Sequence, residues 1–239
     1  MPRDRQPLVG VLGGMGPLAT VDFLAKLVEE TPAARDQEHV PTVTWCVPQV
    51  PDRQQALTGS GASPLPAMMQ GIAQLNAAGV SRIAIACNTA HLWFDELAAA
   101  SGAPLIHIVD ATLAALGPEA ALAGPVGLVA TRGLVASGLY QQRLAAAGMT
   151  PITNTDDEFD TLFTPGCYAV KRNALAEGGA LLAEACARLR SRGATRLVLA
   201  CTEVPVALAH VRSPHLADAV DTNRALARAC VDYWLRLRG

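Results

Sequence analysis

Aromatic residues make up only 4% of this 239-residue chain and charged residues 17%, with a net charge of −2. So little charge, so evenly split by sign, gives no overall positive field and excludes a general attraction to nucleic acid or anionic membrane. Any anion must be held by individual residues. The six cysteines, Cys46, Cys87, Cys167, Cys186, Cys201 and Cys230, form no Cys-x-x-Cys, and their dispersal excludes a compact zinc or redox motif. The default for each is a small buried hydrophobe with a free thiol. Long apolar runs are also missing: the richest stretch, Leu97 to Leu116, is broken by Gly102, Pro104, His107 and Asp110, which argues against a membrane span. At the amino terminus, Met1-Pro2-Arg3-Asp4-Arg5 leads into a short apolar run, Leu8 to Leu12, too brief for a secretory signal, so a cytoplasmic protein is expected. What the chain does have is 51% hydrophobic residues, enough for a substantial core.

That apolar content is arranged in short runs separated by helix-like segments. Strands are expected at Leu8–Leu12, Thr42–Val47, Arg82–Ala86, Leu105–Ile108, Val126–Ala130, Thr150–Thr153 and Arg196–Ala200. Between them, Ala67–Ala78, Ser137–Ala147 and Leu175–Ser191 carry apolar residues at helical spacing. Strands apolar throughout, alternating with helices, predict doubly wound α/β architecture with parallel sheets covered on both faces.

The two halves repeat one another. Ala78-Gly79-Val80-Ser81-Arg82-Ile83-Ala84-Ile85-Ala86-Cys87-Asn88-Thr89 parallels Arg192-Gly193-Ala194-Thr195-Arg196-Leu197-Val198-Leu199-Ala200-Cys201-Thr202-Glu203. Upstream, Val9-Gly10-Val11-Leu12 resembles Val126-Gly127-Leu128-Val129, and the glycine-to-cysteine spacing is 77 residues in one half and 74 in the other. This pattern predicts two pseudo-symmetric α/β lobes, 1–115 and 116–215, joined through the Gly/Pro-containing stretch Leu116–Pro125. The last segment, 216–239, has no counterpart in the repeat and is expected to pack back on the first lobe.

Each lobe then has a cysteine at the carboxyl end of a central strand, where open parallel sheets bind ligands. A helix start supplies N–H groups and a positive dipole end that stabilise a thiolate or hold a carboxylate. If the lobes face one another across a cleft, the two thiols suit a reaction needing a base on one face of a carbon and an acid on the other. Racemisation of an amino acid is such a reaction. A thiol's reference pKa of about 8.5 makes both protonation states reachable near neutrality.

The motifs Gly10-Val11-Leu12-Gly13-Gly14-Met15-Gly16-Pro17, Asp36-Gln37-Glu38-His39-Val40-Pro41, Val50-Pro51-Asp52-Arg53, Ala86-Cys87-Asn88-Thr89-Ala90-His91 and Cys201-Thr202-Glu203-Val204-Pro205 resemble, in order and spacing, the aspartate/glutamate racemase family. The resemblance covers residues 8 to 210. It implies a racemase of aspartate or glutamate that needs no pyridoxal phosphate or other cofactor and no metal, built as two lobes with the active site in the interlobe cleft and assembled as a homodimer. It makes Cys87 and Cys201 the acid/base pair. Asn88, Thr89 and Thr202 would hold the substrate's α-carboxylate or amino group, and Met15 would line the site. Arg53, 34 residues before Cys87, and Lys171, 30 before Cys201, match positions that bind the side-chain carboxylate. Their chemistry fits: arginine grips a carboxylate with two parallel bonds, and lysine adds a point charge. Two departures stand out: Ala200 replaces a glycine usual before the second cysteine, and the segment around Lys171, followed by Arg172, is atypical.

Several features have competing readings. Gly14-x-Gly16-x-x-Ala19 fits a dinucleotide fingerprint, but Thr42–Val47 ends in Val47-Pro48-Gln49 without the acidic residue such a site needs, so a tight turn explains the glycines better. Cys87-x-x-x-His91 lacks a second pair of metal ligands, which leaves His91 as a hydrogen-bonded residue orienting the loop. Glu203 could help move the Cys201 proton or be an ordinary first-turn carboxylate. The alternatives to a racemase are a cofactor-free dicarboxylate isomerase or decarboxylase on the same scaffold, or a non-catalytic amino-acid binder.

Overall fold

The computed structural model describes residues 7–238; the Met1-to-Arg5 segment weighed above as a leader lies outside them. Two four-stranded sheets, both wholly parallel, carry the chain. The first comprises β1 (Val9–Gly13), β2 (Thr42–Cys46), β3 (Arg82–Ile85) and β4 (Leu105–Ile106) in the order β2-β1-β3-β4. The second comprises β5 (Val126–Ala130), β6 (Pro151–Thr153), β7 (Arg196–Ala200) and β8 (Ala219–Asp221) in the order β6-β5-β7-β8. One topology is used twice, and the register repeats with it. Val9 pairs with Arg82 and Gly10 with Ile83; Val126 pairs with Arg196 and Gly127 with Leu197. The repeated sequence is therefore a repeated pair of central strands, each pair ending beside a cysteine.

The central strands are apolar throughout because they are covered on both faces: every residue of β1 and β5 is buried. Contacts divide the chain into residues 1–111 with 223–239, and residues 112–222. In the first unit, Leu12, Met68, Ile72, Leu75, Ile83, Ile85 and Leu97 make the core, all without exposed surface.

The carboxyl-terminal helix Thr222–Arg238 belongs to this first unit from Asn223 onward. Asn223 Nδ2 donates to Ala19 O (3.0 Å) and Asp22 Oδ2 (2.9 Å), while Arg224 and Arg228 pair with Glu29 and Glu30 at 2.5–2.7 Å. Farther along, Tyr233 Oη donates to Ser81 O (3.2 Å), and the Arg82 guanidinium lies 4.3 Å from the Tyr233 ring centre. The helix thus fastens onto the loop that leads into β3.

Local details depart from the sequence expectations in three places. β8 was not expected: three residues, one of them Asp221, give too short a pattern. His107 and Ile108 leave the expected fourth strand, because Ile108 opens the helix Ile108–Leu116 and His107 Nδ1 accepts from Val109 N (3.2 Å) at its start. The expected helix over Ser137–Ala147 is broken at Gly138 (φ 73°), which ends Arg132–Ser137 and begins Leu139–Ala146. A positive φ is easily adopted only by glycine.

Candidate active site

Beyond β3 the chain continues paired to its neighbour, Ala86 N donating to Leu12 O (3.1 Å), before it turns at Cys87. Cys87 (5% exposed), Asn88 and Thr89 are buried at this turn. A 3-10 turn, Thr89–Trp93, follows, and only then the α-helix Phe94–Ala100. The helix start expected directly after Cys87 is therefore a tighter turn in this unit. Met15 is wholly buried in the same apolar cluster as Cys87, with Val50 and Ala90.

The glycine loop before Met15 owes its composition to packing. Gly14 (φ 91°) lies against Val47, where a Cβ would come within 2.4 Å of backbone, and its N–H donates to Thr20 Oγ1 (2.9 Å). Thr20 Oγ1 in turn donates to Gly16 O (2.9 Å), tying the loop to the first turn of the helix Pro17–Glu30.

His91 fixes the position of Cys87. Ile108 N donates to His91 Nε2 (3.1 Å), so Nε2 is the unprotonated nitrogen, and Nδ1–H donates to Cys87 O (2.9 Å). Both ring nitrogens are occupied by backbone, which removes His91 as a metal ligand. Burial first, and the neighbouring His107 second, push its pKa down to about 3. Because the folded value lies below the unfolded one, about 6.5, the unfolded chain binds the extra proton between pH 6.5 and 3. Stability is expected to fall in that window by up to about 1.4 kcal/mol per pH unit from this group. A His91→Gln variant should show a shallower acid limb in denaturant titrations; an unchanged limb would exclude His91 as its source.

Arg53 is buried at the start of the short helix Arg53–Leu57, behind the cap in which Asp52 Oδ1 accepts from Gln54 N (2.7 Å) and Gln55 N (3.2 Å). Its Nη1 donates to Val50 O (3.2 Å) and Pro51 O (3.0 Å). This anchors one arm of the guanidinium and leaves the Nε–Nη2 edge, the edge that pairs in parallel with a carboxylate.

In the second unit, Cys201 (6% exposed) follows β7, and Thr202, also buried, precedes the α-helix Glu203–His210. Cys201 Sγ donates to Glu203 Oε2 (3.1 Å), which also accepts from Thr202 Oγ1 (3.4 Å). Glu203, read from the sequence as either auxiliary or ordinary, is buried and bonded to the thiol. A second thiol is present, one that the sequence reads as core or incidental though close to Lys171: Cys167 Sγ lies 3.6 Å from Cys201 Sγ. The neighbouring Cys167 sulfur above all, then burial, then the Glu203 carboxylate, hold Cys201 well above the ordinary thiol range. The signal was available, since Cys167 precedes Cys201 by the same 34 residues that separate Arg53 from Cys87. Lys171 lies one turn after Cys167 in the helix Thr164–Lys171, exposed, with its Nζ 4.8 Å from the Tyr168 ring centre. The i, i+4 spacing puts Lys171 on the helix face that Cys167 occupies.

Each unit thus presents a buried cysteine and adjoining buried polar side chains at the carboxyl end of a central parallel strand. This arrangement defines a two-lobed α/β protein with duplicated thiol sites. The chain matches the Asp/Glu/hydantoin racemase family over residues 12–230 and belongs to it. It is 25% identical to the broad specificity amino-acid racemase RacX of Bacillus subtilis (strain 168), over 95% of this chain and 98% of that protein. Among solved structures it is similar to the aspartate racemase of Picrophilus torridus, with 31% identity, 95% of this chain and 94% of that one covered, and a TM-score of 0.80. The glutamate racemase of Francisella tularensis, solved with D-glutamate, shares the fold at 15% identity and a TM-score of 0.71, with 98% and 82% covered.

Proposed function

We propose that this protein racemises an acidic amino acid, aspartate or glutamate, by two-base proton transfer between Cys87 and Cys201, without pyridoxal phosphate. The observation that carries the reading is the duplicated register, which ends each cysteine strand at an equivalent point beside buried polar residues. Membership in a racemase family and the likeness to an aspartate racemase support it.

In this reading the thiolate of one cysteine removes the α-proton, and the thiol of the other protonates the planar carbanion from the opposite face. The reverse direction exchanges the roles. Cys201, whose proton is held by its surroundings, starts as the acid. To act as the base it must first lose that proton, and Glu203 Oε2, already its acceptor at 3.1 Å, is the group placed to take it. Asn88, Thr89 and Thr202 supply polar contacts to the α-carboxylate and amino group. Arg53 pairs with the side-chain carboxylate through its Nε–Nη2 edge, and Lys171 adds positive charge. A homodimer remains part of the proposal.

Glu203 acts through Cys201 and is a positioning residue. Glu203→Gln keeps an acceptor oxygen but removes the negative charge, which is one of the causes raising the Cys201 value. The pH limb that reports ionisation of Cys201 should therefore move to lower pH, with kcat reduced by about 10–100-fold and KM little changed. A variant that alters KM alone, with the limb in place, would assign Glu203 to packing or binding.

The proposal as a whole is tested by incubating the purified protein with single enantiomers of aspartate, glutamate and a panel of neutral amino acids, without added cofactor, and following chirality. Racemisation of an acidic amino acid, faster than of the neutral ones, is expected. Activity on neutral amino acids alone would reject the acidic substrate class. No racemisation of any amino acid would reject the activity.

A further inference from the structure

Of the six thiols, Cys167 and Cys201 are in direct sulfur–sulfur contact at 3.6 Å, within one unit and at the same small exposure, 6% each. Cys201 follows the carboxyl end of β7 and Cys167 touches it there, and each keeps a little exposed surface through which a molecule as small as a hydroperoxide can reach. Cys186 and Cys230 differ: both are wholly buried, with no exposed surface for an oxidant to reach. Cys46 is exposed on the last residue of β2.

We propose that Cys167 and Cys201 form an oxidative modification site, in which a hydroperoxide converts the pair to a disulfide and so reversibly removes the Cys201 thiol. In the first step the thiolate of one cysteine attacks the peroxide, the O–O bond breaks, the sulfur becomes a sulfenic acid, and the leaving oxygen departs as water (or as an alcohol from an alkyl hydroperoxide). In the second step the other sulfur attacks the sulfenic sulfur, the S–O bond breaks, and the hydroxyl leaves as water with the attacking thiol's proton. Two thiols lose two electrons and two protons; the peroxide gains them. Closing from 3.6 Å to a disulfide bond of about 2.05 Å asks for an approach of about 1.5 Å, within reach of side-chain rotation. Cys167 would thereby protect Cys201, since a sulfenic acid trapped by a neighbouring thiol does not proceed to the irreversible sulfinic acid.

The cross-link rests on geometry alone; the accompanying loss of activity rests on the proposed role of Cys201. The two are read separately. The full-length protein is treated with hydrogen peroxide, free thiols are blocked, and tryptic peptides are mapped by mass spectrometry. Trypsin leaves Cys167 in residues 144–171 and Cys201 in residues 197–212, each with a single cysteine. A linked pair of these peptides, about 2 Da lighter than their sum and released by dithiothreitol, is expected. In Cys167→Ala the 197–212 peptide should instead gain about 32 Da, the mark of a sulfinic acid, and whatever activity the untreated variant has should not return with dithiothreitol. A Cys87–Cys201 link, or sulfinic acid at Cys201 in the unmodified protein without a Cys167 link, would overturn the proposal. A Cys167–Cys201 link formed without change in racemisation would leave the cross-link standing and contradict the role of Cys201.

Discussion

Replacing Cys87 or Cys201 with serine is expected to lower racemisation by roughly 10²–10⁴-fold, the range that a positioned acid or base contributes. A serine hydroxyl is close in size, so the buried sites, 5% and 6% exposed, stay packed. What it cannot do is ionise near neutrality and accept the α-proton. The two variants should fail differently. With Cys87 changed, Cys201 can still remove and return the proton of one enantiomer; with Cys201 changed, Cys87 can do so for the other. In D₂O each variant is expected to exchange the α-hydrogen of one enantiomer only, with opposite preference. Full activity in either variant, or the same preference in both, would contradict the two-base assignment.

The second large effect is expected at Arg53. A charge-assisted bond contributes about 1.5–3 kcal/mol, so loss of its carboxylate pairing should reduce kcat/KM for the acidic substrate by about 10–150-fold. Arg53→Lys keeps the charge and a donor for Val50 O and Pro51 O, yet lacks the planar edge that makes two parallel bonds. The comparison that decides is between substrates. Any activity on neutral amino acids should be little changed, so that the preference for the acidic one narrows. Equal losses on both would mean that Arg53 supports the loop rather than recognising the side chain, and a thermal melt would then show the lost anchoring.

Much of this was legible in the sequence, for reasons that differ by element. The strands covered on both faces, such as Val9–Gly13 and Val126–Ala130, stand out because their burial leaves no polar residue inside them. The repeat was legible because equivalent strand pairs impose equivalent residues, down to the glycines of β1 and β5. At Gly127 a Cβ would meet the Leu197 side chain at 2.7 Å, and at Gly10 the Val80 side chain at 3.1 Å. β8 was not legible: a three-residue strand at a sheet edge has no period to detect. For the contact of Cys167 with Cys201 the sequence held only the 34-residue spacing shared with Arg53 and Cys87, because a cysteine on a helix face reads as an apolar residue whatever it touches. The bond between Cys201 and Glu203 needed coordinates for a similar reason. A carboxylate in a helix's first turn is common, and only burial beside the sulfur separates this one from a solvated residue.

The central claim is that two different groups, one on each face, handle the α-proton. The most direct measurement follows its fate at early conversion in D₂O, starting separately from the L- and the D-form of the acidic substrate. Two thiols are expected to give product carrying one α-deuterium from the first turnovers in both directions, while the remaining substrate stays unlabelled. Product that keeps the substrate's own α-hydrogen would mean that one group both removes and returns the proton, and would contradict the account.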